Sequence, residues 1–159
     1  MPTPRSGSHQ PNQQEPVPSL GLVLDFMRVL WAVDHGLHSA SKRMEANLGV
    51  TGLQRFAIRM LGRFPTISAG RLAELLFVHP STLTGVLRRL EERGYIVRRA
   101  DPNDARRALF ALTPEGRALN SLQSGTVEAA VRRALAGVSE RKLAATREVL
   151  EAVARELAR

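Results

Sequence analysis

The segment Pro80–Arg93, PSTLTGVLRRLEER, spaces small hydroxyls and long cations so that they share one face if it is helical. At about 100° per residue, Leu83, Val86, Leu87 and Leu90 form one stripe. Ser81, Thr84, Gly85 and Arg88 fall opposite, flanked by Thr82 and Arg89. Such a face is narrow near its N-terminus and cationic further on. Hydroxyls there suit base edges or phosphates, and an arginine fork matches the O6 and N7 acceptors of guanine. Between Arg88 and Arg107 lie seven arginines (88, 89, 93, 98, 99, 106, 107) against four acids (Glu91, Glu92, Asp101, Asp104). The bland alternative, a solvated polar face on an ordinary amphipathic helix, does not explain this concentration.

The flanking residues make that helix half of a larger unit. Ser68 is an N-cap for a helix with Leu72, Leu75 and Leu76 inward. Phe77-Val78-His79 is a turn, because Pro80 disfavours helical geometry in His79 while suiting a first helical turn itself. Two helices joined so closely must cross steeply, as in a helix-turn-helix. Gly94 stops the second helix. Tyr95–Arg99 and 108–112 are strand candidates around the connection Ala100–Arg107, where Asp101, Pro102 and Asn103 are turn formers. Thr51 and Gln54 have capping-box spacing before a helix placing Leu53, Phe56, Ala57, Met60 and Leu61 on one face. Gly62 and Pro65 end that helix, and Thr66-Ile67 has the character of a short edge strand.

Longer amphipathic segments frame this unit. From Ser19 to about Glu45, Leu20, Val23, Leu24, Met27, Leu30 and Trp31 repeat at steps of three and four. A helix of that length, about 40 Å, exceeds what one small domain can cover. Thr113-Pro114-Glu115 starts a further helix, with threonine cap, proline and acid in order. Its stripe runs through Leu119, Leu122, Val127, Ala130, Val131, Ala134 and Leu135. Gly137 interrupts, Ser139 restarts, and Leu143, Val149, Leu150, Val153 and Leu157 continue. Both arms need a second chain as cover.

Composition narrows the classes. The 159-residue chain is 43% hydrophobic and carries 23 Lys+Arg, nearly all arginine, against 15 Asp+Glu, for a net charge of +8. No apolar run approaches the about 18–20 residues of a membrane span. Residues 1–18, rich in Pro, Gln, Ser and His, lack a secretory apolar middle and read as a disordered tail. The lack of cysteine excludes disulfides and thiolate metal sites in this chain and agrees with a cytoplasmic location. His35 and His38 stand at i, i+3 beside Asp34, but no further ligand cluster accompanies them, so they read as interface or pocket-lining histidines rather than a metal site. No Ser/His/Asp arrangement, Gly-rich phosphate loop or paired carboxylates appears, so an enzyme is not expected, nor a cofactor.

With these residues assembled, the chain resembles the MarR family of bacterial transcription regulators over about Leu20 to Leu157. The motifs carrying the resemblance are HPSTLTGVLRRLEERGY (79–95), DPNDARR (101–107) and LTPEG (112–116). The resemblance implies a mainly α (α+β) fold, a winged helix-turn-helix at about 51–113 within a domain at 19–159. Dimerisation helices are expected at about 19–46 and 114–158. It further implies a homodimer on double-stranded operator DNA, usually repressing, and released by a small ligand, here expected to be aromatic or phenolic. The DNA-binding residues are then Ser68, Ser81, Thr82, Thr84, Arg88, Arg89, Asp104, Arg106 and Arg107. In the family's wing an Asp-x-Arg pair, matching Asp104 and Arg106, orients an arginine into the minor groove. Many members carry another arginine directly after that Asp, where this chain has Ala105, and Arg107 is the alternative carrier. The ligand pocket is expected to involve Arg28, Trp31, His35, His38, Phe56 and Arg59, although Trp31 and Phe56 also suit a plain core. Two competing functions stand beside this reading: a ligand-independent architectural DNA-binding protein, and a dimeric protein-interaction module.

Overall fold

The computed structural model of the chain describes residues 18–158, except for the side chains of Ala105 and Arg106. The expected N-terminal tail lies outside those residues apart from Pro18. The chain divides into two compact units, Met1–Asp34 and His35–Arg159.

In the first unit, helix α1 (Leu22–Leu48) starts three residues later than its stripe suggested. The Asp25 carboxylate explains the delay. It turns back to accept from the Ser19 hydroxyl at 3.1 Å and from the Leu20 N–H at 3.4 Å, so those residues form a cap rather than a turn of helix. Leu22, Val23, Leu24 and Trp31 are all more than half exposed.

In the second unit α1 continues to Leu48, and Gly49 ends it with a left-handed φ of +72°. Helix α2 (Gly52–Arg63) opens with the expected box: the Gln54 N–H donates to Thr51 Oγ1 at 3.2 Å, and the Thr51 N–H to Gln54 Oε1 at 3.0 Å. Its buried face differs from the expected one. Gln54, Arg55, Ala57, Ile58 and Leu61 are buried, whereas Phe56 is 47% exposed and Leu53 and Met60 are half-buried. Ile58, fully buried, sets the helix's rotation and brings position 55, three residues earlier, inside with it.

Strand β1 (Ile67–Ser68) and helix α3 (Ala69–Leu76) follow, with Ser68 Oγ accepting from the Arg71 N–H at 3.3 Å as N-cap. Phe77 takes the left-handed conformation, φ +53°, that turns the chain towards helix α4 (Pro80–Glu92). Leu83, Val86, Leu87 and Leu90 of α4 enter the core with Ala57, Ile58, Leu61, Leu72 and Phe110.

Strands β2 (Ile96–Asp101) and β3 (Asp104–Leu112) complete an antiparallel sheet of order β1-β3-β2. The hairpin tip is shorter than expected. The ladder continues outward past a bulge at Ala100/Asp101, and only Pro102 and Asn103 remain as the turn. The Asp101 carboxylate accepts the Asn103 N–H at 2.9 Å, an Asx-type closure that needs no longer loop. Arg106 and Arg107 are therefore strand residues.

Helix α5 (Pro114–Ser121) sits hard against the base of the hairpin. The Thr113 hydroxyl donates to the Gly94 carbonyl at 2.6 Å and accepts from the Gly116 N–H at 3.0 Å. A Cβ on Gly116 would lie 2.0 Å from the Tyr95 carbonyl oxygen. The glycine of the LTPEG motif is thus a close-approach residue.

The single helix expected onward to Leu135 is divided. α5 stops at Ser121, and α6 (Val127–Leu135) restarts from Thr126, whose hydroxyl accepts the Ala129 N–H at 3.2 Å. Two causes are visible. Gly125 has φ +69°, and the carbonyls that end α5 have another donor. Arg55, 1% exposed, donates from Nη1 to the Leu119 carbonyl and from Nη2 to those of Asn120 (3.4 Å) and Leu122 (2.8 Å). Its Nε reaches Glu128 Oε1 at 2.7 Å. Arg59 adds a bond from Nη1 to the Asn120 carbonyl at 2.9 Å. Partial burial pushes the Glu128 carboxyl up, but the Arg55 hydrogen bond and charge outweigh this and hold it below its ordinary value. After Gly137, helix α7 (Glu140–Leu157) has no buried residue among those described.

Two predictions follow from this packing. Gly116→Ala forces α5 off the hairpin base and lowers stability by about 1–3 kcal/mol in urea unfolding, the cost of overpacking. Glu128 has a lowered folded value against an ordinary 4.5, so its contribution is complete above about pH 4.5 and is lost as pH falls through the folded value. Glu128→Gln should flatten the acid limb of the stability–pH curve below about pH 4.5. An unchanged limb would remove this ion pair from the account of acid stability.

Candidate nucleic-acid interface

The exposed side of α4 is built from its cap outward. His79 is the N-cap: its Nδ1 accepts the Ser81 N–H at 3.3 Å and lies 2.7 Å from Ser81 Oγ. Pro80 follows at the first helical position, where its missing N–H costs nothing. Thr84 Oγ1 donates to the Pro80 carbonyl at 2.9 Å. Ser81, Thr82, Thr84, Arg88 and Arg89 are all exposed, while the four aliphatic residues opposite them hold the helix in place. Gly85 is half-buried with open space where a side chain would stand, so the fold itself does not demand a glycine there. Its smallness leaves that part of the face shallow.

Arg88 pairs with Glu92 one turn on, at 3.6 Å, with side chains 72% and 62% exposed. An exposed pair of this kind contributes about 0–1 kcal/mol, so a stronger acceptor displaces it readily. Arg89, in the last turn, lies near the carbonyl end of the helix, where a cation is favourable.

A second group gathers where α3 meets the hairpin. Ser68 Oγ accepts from Arg107 Nη2 at 3.3 Å as well as from the Arg71 N–H. Arg71 Nη1 also reaches Glu74 Oε2 at 2.6 Å. Around them opens a cleft of about 660 Å³ lined by Ser68, Arg71, Arg99, Asn103 and Arg107 among others. The cleft is therefore arginine-rich, and Arg107 is already oriented across the strands. Asp104 is exposed at the start of β3. The backbone of Arg106 lies in β3, but its side chain falls outside the described residues.

The six residues expected to line a ligand pocket fall in both units. Arg28 and Trp31 belong to the first; Arg28 pairs with Asp25 at 3.6 Å and Trp31 is 65% exposed. In the second, His35, His38 and Phe56 are exposed, and Arg59 is drawn to Asn120 and Glu128. Among the described residues no three His, Asp or Glu side chains gather as a metal site.

Sequence reading passed over Arg55 and Glu128. Their signal was faint but present, since an arginine three residues before a buried isoleucine shares that residue's face.

Comparison with known proteins converges on one group. Residues 48–107 match the sequence model of the MarR family. Over 89 residues the chain is 37% identical to an HTH-type transcriptional repressor of Mycobacterium tuberculosis, covering 56% of this chain and 64% of that one. Over 88 residues it is 30% identical to the organic hydroperoxide resistance transcriptional regulator of Bacillus subtilis, covering 55% and 60%. The chain thus spans a little under two thirds of these curated relatives. A solved MarR family transcriptional regulator from Rhodococcus sp. RHA1 is 27% identical, with a TM-score of 0.65 over 86% of this chain and 96% of that one.

Proposed function

We propose that the chain belongs to the MarR family, whose model matches residues 48–107, and that it is a sequence-specific DNA-binding transcription regulator, a repressor acting as a homodimer on a pseudopalindromic operator. The observation that carries the reading is the solvent face of α4. Hydroxyl side chains stand at its N-terminal end, a shallow glycine follows, and two exposed arginines complete it, all on a helix locked by four buried aliphatic residues. A helix so furnished fits the major groove, with Arg88 placed for guanine and Arg89 for phosphate. Arg71 and Ser68 form the adjoining phosphate contact, and the wing carries Arg106 or Arg107 into the minor groove, where narrow A-tract segments attract arginine.

The homodimer is supported by the apolar faces each arm leaves uncovered, at Leu22, Val23, Leu24 and Trp31 on α1 and at Val149, Leu150 and Leu157 on α7. Release by a small aromatic or phenolic ligand extends the same reading. The relatives are regulators rather than enzymes by name. Among the described residues no helix is long and apolar enough to cross a membrane; a cytoplasmic location is the natural setting for the proposed role.

Genome-wide mapping of bound DNA, followed by titration on the recovered site, tests the reading. Arg88→Ala should relax base preference at one position of each half-site, costing about 1–3 kcal/mol on the operator and less on random duplex. Equal losses on both would remove Arg88 from base readout. Separate alanine substitutions of Arg106 and Arg107, compared at matched salt on operators differing in A-tract content, should show A-tract dependence lost in only one of them. Identical behaviour of the two would count against a single minor-groove arginine.

A further inference from the structure

Three hydroxyls on the proposed DNA face have their hydrogen-bonding capacity partly used inside the protein, and the part that remains differs among them. A serine or threonine hydroxyl has one proton to donate and two lone pairs to accept with. Thr84 Oγ1 lies 2.9 Å from the Pro80 carbonyl oxygen. A carbonyl only accepts, so the Thr84 proton is committed there. Ser81 Oγ lies 2.7 Å from His79 Nδ1, and that same nitrogen receives the Ser81 backbone N–H at 3.3 Å. A backbone N–H only donates, so Nδ1 is the unprotonated ring nitrogen and Nε2 carries the hydrogen. The Ser81 proton therefore also points inward, to Nδ1. Ser68 is the opposite case. Its Oγ accepts from the Arg71 N–H and from Arg107 Nη2, both at 3.3 Å, which fills both lone pairs and leaves the proton to point outward.

We infer that Ser81 and Thr84 present only acceptor lone pairs to DNA and so select amine-bearing base edges, adenine N6 or cytosine N4, in the major groove, while Ser68 donates to a phosphate. The inference rests on the reading of α4 as the helix that enters the groove, and deepens it. Phosphate oxygens and the O6, N7 and O4 edges of guanine and thymine are acceptors, which a hydroxyl with its proton spent cannot satisfy. Adenine and cytosine are the bases whose major-groove edge carries a donor. The half-site is accordingly read as one or two amine-bearing bases beside a guanine matched to the Arg88 fork. His79 becomes a specificity-positioning residue: it touches no base in this scheme, but it fixes which way the Ser81 hydroxyl faces.

The test is selection of bound duplexes from a randomised pool by the full chain, followed by binding titrations on the selected site. Each base pair carries one major-groove amine, adenine N6 or cytosine N4, so at the contacted positions the wild type should depend on the amine of one strand. Replacing a selected adenine by purine, which lacks the 6-amine, or a selected cytosine by 2-pyrimidinone, which lacks the 4-amine, should weaken binding about threefold to tenfold, the worth of one neutral hydrogen bond. This arm leaves the protein untouched. Ser81→Ala or Thr84→Val should each abolish the penalty at one position. His79→Ala frees the Ser81 hydroxyl to donate and should remove the amine-deletion penalty at its position, whereas His79→Asn, whose amide oxygen falls close to the Nδ1 site, should keep it. Indifference of the wild type to the missing amines on both strands would overturn the inference while leaving DNA binding intact. If the wild type selected no sequence at all, the parent reading would fall with it.

Discussion

A buried guanidinium governs how the second unit is put together. Taking a charge out of water carries a penalty of several kcal/mol, and a site tolerates it only when every donor is matched. Arg55 meets that demand with three main-chain carbonyls and one carboxylate, supplied by the end of α5, the connection after it and the start of α6. The arrangement works in both directions. The arginine needs those carbonyls, and the carbonyls, freed where the helix breaks, need a donor. A chain that tried to run α5 straight into α6 would return the carbonyls to the helix and strand the cation. The break at Leu122–Thr126 is therefore an electrostatic requirement as much as a consequence of Gly125.

From that node the geometry of the proposed DNA face follows. Helix α2, fixed by Arg55 at one side, packs against α3, α4, α5 and β3. The same helix that holds the C-terminal segment thus provides the floor into which Leu83, Val86, Leu87 and Leu90 insert. Gly116 brings the start of α5 into contact with the Tyr95 carbonyl at the root of the hairpin, so the hairpin and α4 are referred to one core. Precision at the exposed hydroxyls comes from this rigidity. Side chains with committed protons can discriminate only if the backbone beneath them does not drift.

Much of this was legible in the amino-acid sequence wherever the physics was local. The stripe of α4, the box at Thr51 and Gln54, the Ser68 cap and the Thr113-Pro114 start depend on residues within a turn of one another, and all were found. What escaped depended on partners far along the chain. Arg55 binds residues more than sixty positions away, and a periodicity argument that counts only apolar residues missed it and gave Phe56 the buried place that belongs to Ile58, while Ala57 and Leu61 are buried as expected. Leu122 and Val127 keep helical spacing across a break that the carbonyl acceptors decide. The turn formers at Asp101–Asn103 were identified, but the length of the hairpin is set by its ladder, which single-strand patterns do not reveal. For the site itself, residue types were readable and hydroxyl polarity was not, because polarity lies in who already holds each proton.

The edge strand β1 carries one more implication. It pairs with β3 at Ile67↔Phe110 and Ser68↔Leu109, and among the described residues the Arg107–Ser68 bond is the outermost link between the hairpin and β1. Mechanically this is a cantilever with its clamp at the Ser68–Arg107 contact. An unsupported two-stranded ribbon is the least stable form of sheet, so thermal bending concentrates outside the clamp and spares the core. The tip of such a ribbon can flex elastically, and its base need not shift α3 or α4 when it does. Compliance and rigidity are divided within a single pair of strands.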